Sequence, residues 1–199
     1  MHTAVQQSAG PFSVTDLSHT IRGKIVLSLA ATMVVAAAAH VSIPLWFTPV
    51  PLTLQPLAVL GVGLALGPIA GFCAMLAYLV EGAMGLPVFS PSGMGGLAQI
   101  IGPTGGYLMA YPLVAFIAGA LTRLLQNTLS RFLAALAACS TAVVVLFACG
   151  AAWFMHLTNL SGQQVWMAAV APFVPGEVVK IIVASGIYSS FTRRSAAAL

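Results

Sequence analysis

Charge is what this sequence has least of. Of 199 residues only 5% are charged, and the acids are Asp16, Glu81 and Glu177 alone. A water-soluble domain carries roughly a quarter charged residues. With 60% hydrophobic residues and a mean hydropathy of +1.03, there is too little polar surface to coat a globule in water. The bilayer must therefore be the solvent. A span takes roughly 20 mostly apolar residues, which leaves room for about six spans and no appended soluble domain.

Other absences narrow the function. The three cysteines, Cys73, Cys139 and Cys149, lie inside apolar stretches, with no CxxC pair and no His/Cys cluster at metal-ligand spacing. Neither a disulfide framework, a metal site nor a cofactor is expected from them. No GxxxxGK[ST], HExxH or GxSxG occurs, so P-loop hydrolysis of ATP, zinc proteolysis and the serine nucleophile elbow are excluded. Only Glu81 and Glu177 lie in or near apolar stretches, too few for a relay of carboxylates crossing the membrane. No nucleophile–base pair is visible, so an enzyme is not expected. The net charge of +4 rests on seven scattered Lys and Arg without interleaved aromatics, which excludes nucleic acid as a partner. In a membrane protein such an excess is a topology signal instead.

What is present begins with six apolar stretches, at 25–43, 57–66, 69–84, 107–125, 132–154 and 166–191. The sequence thus predicts an all-α membrane protein with six transmembrane helices at 21–194, a flexible tail at 1–20 and a short one at 195–199. Arg22 and Lys24 precede a run ending in Ala36-Ala37-Ala38-Ala39, which resembles a signal-peptide cleavage site. The basic pair lies too far from the start for that, so a retained first span is expected. Gly67-Pro68 makes the second and third stretches a tight hairpin, and Pro172 with Pro175-Gly176 interrupts the sixth, whose helix restarts at Pro175.

Six crossings from a cytoplasmic N-terminus put Arg22, Lys24, Arg123, Arg131, Arg193 and Arg194 on the inner side, the positive-inside pattern. Trp46, Trp153 and Trp166 then fall near the outer face, as an interfacial belt does. Both termini are cytoplasmic on this reading. Three connections face outward, at 44–56, 85–106 and 156–164, and recognition of any solute is expected from that side.

Lys180 is the basic residue that topology does not explain. It follows Glu177 by three positions in Pro172-Phe-Val-Pro-Gly-Glu-Val-Val-Lys180, so the two share a helix face at membrane depth. Such charges are costly and are normally paired or line a wet cavity. Either they neutralise each other, or each bonds a polar ligand beside the freed N–H groups of the restarted helix. Glu81, near the outer end of the third stretch, is either an interfacial carboxylate or a second acid of that cavity. Thr53 and Gln55 stand among prolines in the first outward loop, and a Gln offers both donor and acceptor to an amide or urea. The second outward loop carries Phe89, Gly95, Gly96 and Tyr107, with glycines for close backbone approach and two rings for an apolar ligand. On the first span Ser28, Thr32 and Ala36 recur every fourth residue, a small-residue stripe for internal packing or for docking a second membrane protein.

The run PVPLTLQPLAVLGVGLALGPIAG from Pro49, GLPVFS from Gly85, GPTGGY from Gly102 and PFVPGEVVK from Pro172 resemble the BioY family, over about residues 25–191. That resemblance implies a biotin-binding S component of an energy-coupling factor transporter, in the cytoplasmic membrane. It further implies a transmembrane coupling protein and two cytoplasmic ATPases as partners, with a solitary or oligomeric biotin carrier as the alternative. It puts Glu177 and Lys180 at the biotin site, and it adds weight to docking of the coupling protein on Ser28, Thr32 and Ala36. The family more often has Asp at the acid position, one methylene shorter than Glu177. Biotin has an apolar bicycle, a ureido group and a carboxylate tail. Lys180 or free helix N–H groups suit the carboxylate and Glu177 or Gln55 the ureido group, and which meets which stays open.

Overall fold

The computed structural model describes residues 21–197; the expected tail at 1–20 and the last two residues of the one at 195–199 lie outside the described residues. In chain order the elements are helix α1 (Ile21–His40), strands β1 (Ser42–Leu45) and β2 (Thr48–Thr53), α2 (Gln55–Leu66) and α3 (Pro68–Ala83). After a long loop come α4 (Gly96–Ile101), α5 (Gly105–Leu125), α6 (Arg131–Thr158), α7 (Gly162–Val165), a π-helical turn (Trp166–Val170) and α8 (Val174–Ala197).

By length and composition α5 and α6 can each cross a membrane, and α7 with the π turn passes the same test together with α8, as a pair bent by 48°. Three more apolar helices, Ile25–His40, Gln55–Leu66 and Pro68–Ala83, are shorter than a full span. The outward surface of these helices is apolar, as at Met33, Ile69, Val144 and Val179, which only lipid or a protein partner can cover. This is a membrane protein.

Helix α5 is the centre of the bundle, packed between α3, α2 and α6. Small residues let the backbones close up there. A Cβ at Gly119 would meet the Gly63 carbonyl at 2.6 Å and the Pro68 nitrogen at 2.7 Å, so any larger residue would force α5 off the α2–α3 turn. That turn is as tight as the sequence predicts. Gly67, at φ 82°, donates its N–H to Gly63 O and precedes the proline that opens α3.

The structure departs from the sequence reading in three places. The connection between α1 and α2 is a β-hairpin, with Ser42 opposite Thr53, Ile43 opposite Leu52 and Leu45 opposite Thr48 around a turn at Trp46-Phe47. Its prolines conceal a period of two: Thr48 and Val50 are buried while Pro49 between them is exposed. Helix α6 runs past Phe154 to Thr158 and stops where Asn159 turns left-handed, at φ 55°. Helix α8 starts at Val174, a residue before Pro175, and its first ladder bond runs from Glu177 N–H to Phe173 O.

For the stripe on α1 the sequence leaves internal packing and docking both open. Thr32 is 2% exposed, and its hydroxyl bonds the Leu29 carbonyl (2.9 Å) and Glu81 Oε1 on α3 (3.1 Å). Ser28 is half-buried, and Ala36 packs against the core. Thr32 and Ala36 thus take part in packing within the bundle.

Candidate functional site

The interrupted last span builds the site. In the π turn Ala171 N–H reaches back five residues to Trp166 O, and Phe173 N–H then bonds Val170 O. The carbonyl of Ala169 is thereby released from the helical ladder, and the Tyr107 hydroxyl of α5 donates to it. One turn later α8 begins, and its first turn carries Glu177 with Lys180 on the same face.

Lys180 Nζ lies 2.6 Å from Glu177 Oε1, and both residues are buried. The second oxygen, Oε2, is buried with no hydrogen-bond partner. Removing one member of such a pair leaves an uncompensated charge, at a typical cost of about 3–5 kcal/mol. A carboxylate oxygen is an acceptor that normally finds a donor when buried. The orphan therefore marks where a donor is wanted.

That pair lines a cavity roofed by the hairpin, through Val50 to Thr53, and walled by Tyr107 and Tyr111 of α5, Leu146 and Phe147 of α6, and Phe173. Gln55, Ser90, Gln99 and Thr104 supply its remaining polar lining. Gln55 is 4% exposed and donates through Nε2 to the Tyr78 hydroxyl (2.7 Å), which donates in turn to the Val88 carbonyl (2.7 Å). The loop between α3 and α5 is fastened in three places: at Val88 to α3, by Ser92 Oγ to Ser42 Oγ of the hairpin (3.0 Å), and by Trp153 Nε1 to the Gly102 carbonyl (2.9 Å). Two loops thus close over a cavity with apolar walls and one ion pair.

Of the residues the sequence singles out, Glu177, Lys180, Gln55, Thr53 and Tyr107 come together on this cavity. Glu81, Phe89, Gly95 and Gly96 do not line it. Glu81 sits between α1 and α3 on Thr32. Phe89 is buried edge-to-face against Tyr78, with ring centroids 5.4 Å apart. Gly95 and Gly96, at φ 70° and 59°, turn the chain into α4, and the Gly95 N–H donates to Gln99 Oε1 (3.1 Å). Phe89, Gly95 and Gly96 thus build the loop behind the cavity wall, and Glu81 braces α3 against α1.

Sequence reasoning missed Tyr111, Gln99, Phe173 and Tyr78. Tyr111 was findable, four residues after Tyr107 and hence on the same helix face. Gln99 was the one polar residue of GLAQII. Among the described residues no group of three His, Cys, Asp or Glu could hold a metal ion.

A helical membrane domain folded around a small-molecule cavity is the architecture of solute-binding transport components. The profile of the BioY family matches residues 7–197, and the chain belongs to that family. It is 37% identical over 172 residues to "Biotin transporter BioY" of Rhizobium etli, spanning 82% of this chain and 89% of that one. It is 36% identical over 154 residues to "Probable biotin transporter BioY" of Pyrococcus horikoshii, spanning 77% of this chain and 88% of that protein. Among solved structures it resembles the S-component for biotin from an ECF-type ABC transporter, with a TM-score of 0.77 and 27% identity over 85% of this chain and 90% of the other. These relatives are transporters and transporter components, not enzymes.

Proposed function

We propose that this chain captures biotin from the outer side of the cytoplasmic membrane and is the substrate-specific subunit of an ATP-driven importer. The observation that carries the reading is the buried Glu177–Lys180 pair with its unpartnered Oε2 in an aromatic-walled cavity. A cyclic urea presents a carbonyl acceptor flanked by N–H donors, and an ammonium 2.6 Å from a carboxylate presents the matching donor beside an acceptor. Because the pair is so close, both partners meet the same end of the ligand. Lys180 then donates to the ureido carbonyl and Glu177 Oε2 accepts a ureido N–H. The bicycle lies against Tyr107, Tyr111 and Phe173, and the carboxylate tail runs toward Ser90, Gln99 and Thr104. The names of the relatives, each a biotin transporter or biotin S-component, support the same substrate.

Six spans with both termini cytoplasmic complete the reading, since that threading keeps Arg123 and Arg131 inside and the two closing loops outside. The short helices α2 and α3 then serve as spans together with the segments at their ends. Uphill accumulation of biotin needs an energy source, and in this reading a coupling protein and two ATPases supply it. An apolar groove between α1, α2 and α8, with Ala31, Ala58, Gly61 and Ala184 along it, supports a membrane-embedded partner on that face.

Calorimetric titration of the detergent-purified chain with biotin tests the substrate: saturable binding is expected, and its absence sinks the proposal. Uptake in cells depleted of ATP tests the energy source. Abolished uptake supports the importer, whereas undiminished uptake identifies a solitary carrier.

A further inference from the structure

Tyr78 stands behind the cavity, fully buried, with its ring beside that of Tyr111 and its hydroxyl bonded to Gln55. Its hydrogen bonds have one consistent direction. The Val88 carbonyl can only accept, so at 2.7 Å the Tyr78 O–H must donate to it. The Tyr78 oxygen is then left as an acceptor, and at 2.7 Å from Gln55 it requires the amide nitrogen rather than the amide oxygen. A glutamine amide is otherwise free to present either end, and only its network decides which. Here the network commits Nε2 to Tyr78 on α3 and leaves Oε1 as the free end of a residue that lines the cavity. There Oε1 holds only a long 3.4 Å bond from the Thr53 hydroxyl, with a second lone pair to spare.

We infer that Tyr78 is a specificity-determining positioning residue: by polarising Gln55 it makes that side chain an acceptor toward the ligand. The inference rests on the biotin reading and deepens it. With Gln55 Oε1 and Glu177 Oε2 as acceptors and Lys180 as donor, the cavity offers acceptor, donor, acceptor to a ureido group that offers donor, acceptor, donor. A ligand with an acceptor in place of the second N–H meets the Gln55 oxygen lone pair to lone pair, and Gln55 cannot flip to accommodate it without breaking its bond to Tyr78.

The test compares biotin with an analogue methylated at a ureido nitrogen, one regioisomer at a time, by calorimetric titration of the full chain. Tyr78→Phe removes the hydroxyl, frees the amide to rotate and is expected to weaken biotin about tenfold, the worth of one buried hydrogen bond to a ligand. The regioisomer lacking the N–H that Gln55 accepts is bound weakly by both proteins, and its affinity changes by less than about twofold on the substitution. Where Tyr78→Phe does not yield folded protein, Gln55→Met takes its place, with the same expectation for the same regioisomer. Equal weakening of biotin and both analogues by either variant overturns the inference, because a merely structural tyrosine or glutamine affects every ligand alike. A wild-type chain that binds no biotin overturns the substrate reading instead, so the two failures are distinguishable.

Discussion

The Lys180 ammonium lies 2.6 Å from Glu177 Oε1, one helical turn away, and the other oxygen of that carboxylate is buried without a partner. The pair is therefore balanced in charge but incomplete in hydrogen bonding. Removing half of it differs physically from removing all of it.

Lys180→Ala should be the most damaging single change in the cavity. It strands a carboxylate at membrane depth, with an expected stability loss of about 3–5 kcal/mol and no measurable biotin binding. The double variant Lys180→Met, Glu177→Gln carries no net charge there and should recover most of the stability without recovering the binding. Thermal unfolding in detergent together with titration separates the two effects.

Glu81→Gln should leave biotin affinity within about twofold of wild type, since Glu81 contacts Thr32 and not the cavity. Affinity loss comparable to that of Lys180→Ala would return Glu81 to the ligand site and contradict its place in the fold.

Tyr107→Phe removes the hydroxyl that occupies the Ala169 carbonyl. Loss of that bond should cost about 1–3 kcal/mol, because a buried carbonyl is left without a donor. A melting curve on the unliganded protein checks it.

Biotin amidated at its tail carboxylate should bind nearly as well as biotin, because both charged residues of the cavity are committed to the ureido end. A drop of more than about a hundredfold, or roughly 2.7 kcal/mol, would reassign Lys180 to the carboxylate.

Orientation is open to direct measurement. In a chain freed of Cys73, Cys139 and Cys149, a cysteine at Ser161 should react with a membrane-impermeant maleimide added to intact cells. A cysteine at Thr128 should react only after the membrane is broken. The reverse pattern would invert the topology.

The helices were legible because apolar runs and basic loops follow directly from bilayer physics. The Glu177–Lys180 pair was legible because charge at that depth has few other uses. The hairpin at 42–53 was not, since its prolines read as irregular loop and the alternation of Thr48, Pro49 and Val50 is short. The position of Glu81 was equally hidden. Its partner Thr32 is 49 residues away, and nothing in either local sequence specifies which helix faces which. Tyr78 escaped because a tyrosine in an apolar run reads as core, and its chemistry resides in a carbonyl ten residues on.

The bend in the last span is written into its prolines. Pro172 and Pro175 bring no N–H to the ladder, and in a straight helix their rings would collide with the carbonyls of Ala168 and Ala171. The Ala169 carbonyl that the π turn surrenders is held instead by Tyr107. The joint between α7 and α8 is therefore a fixed elbow: it sets the angle at which α8 delivers the ion pair to the cavity, and the tyrosine of the aromatic wall is its brace.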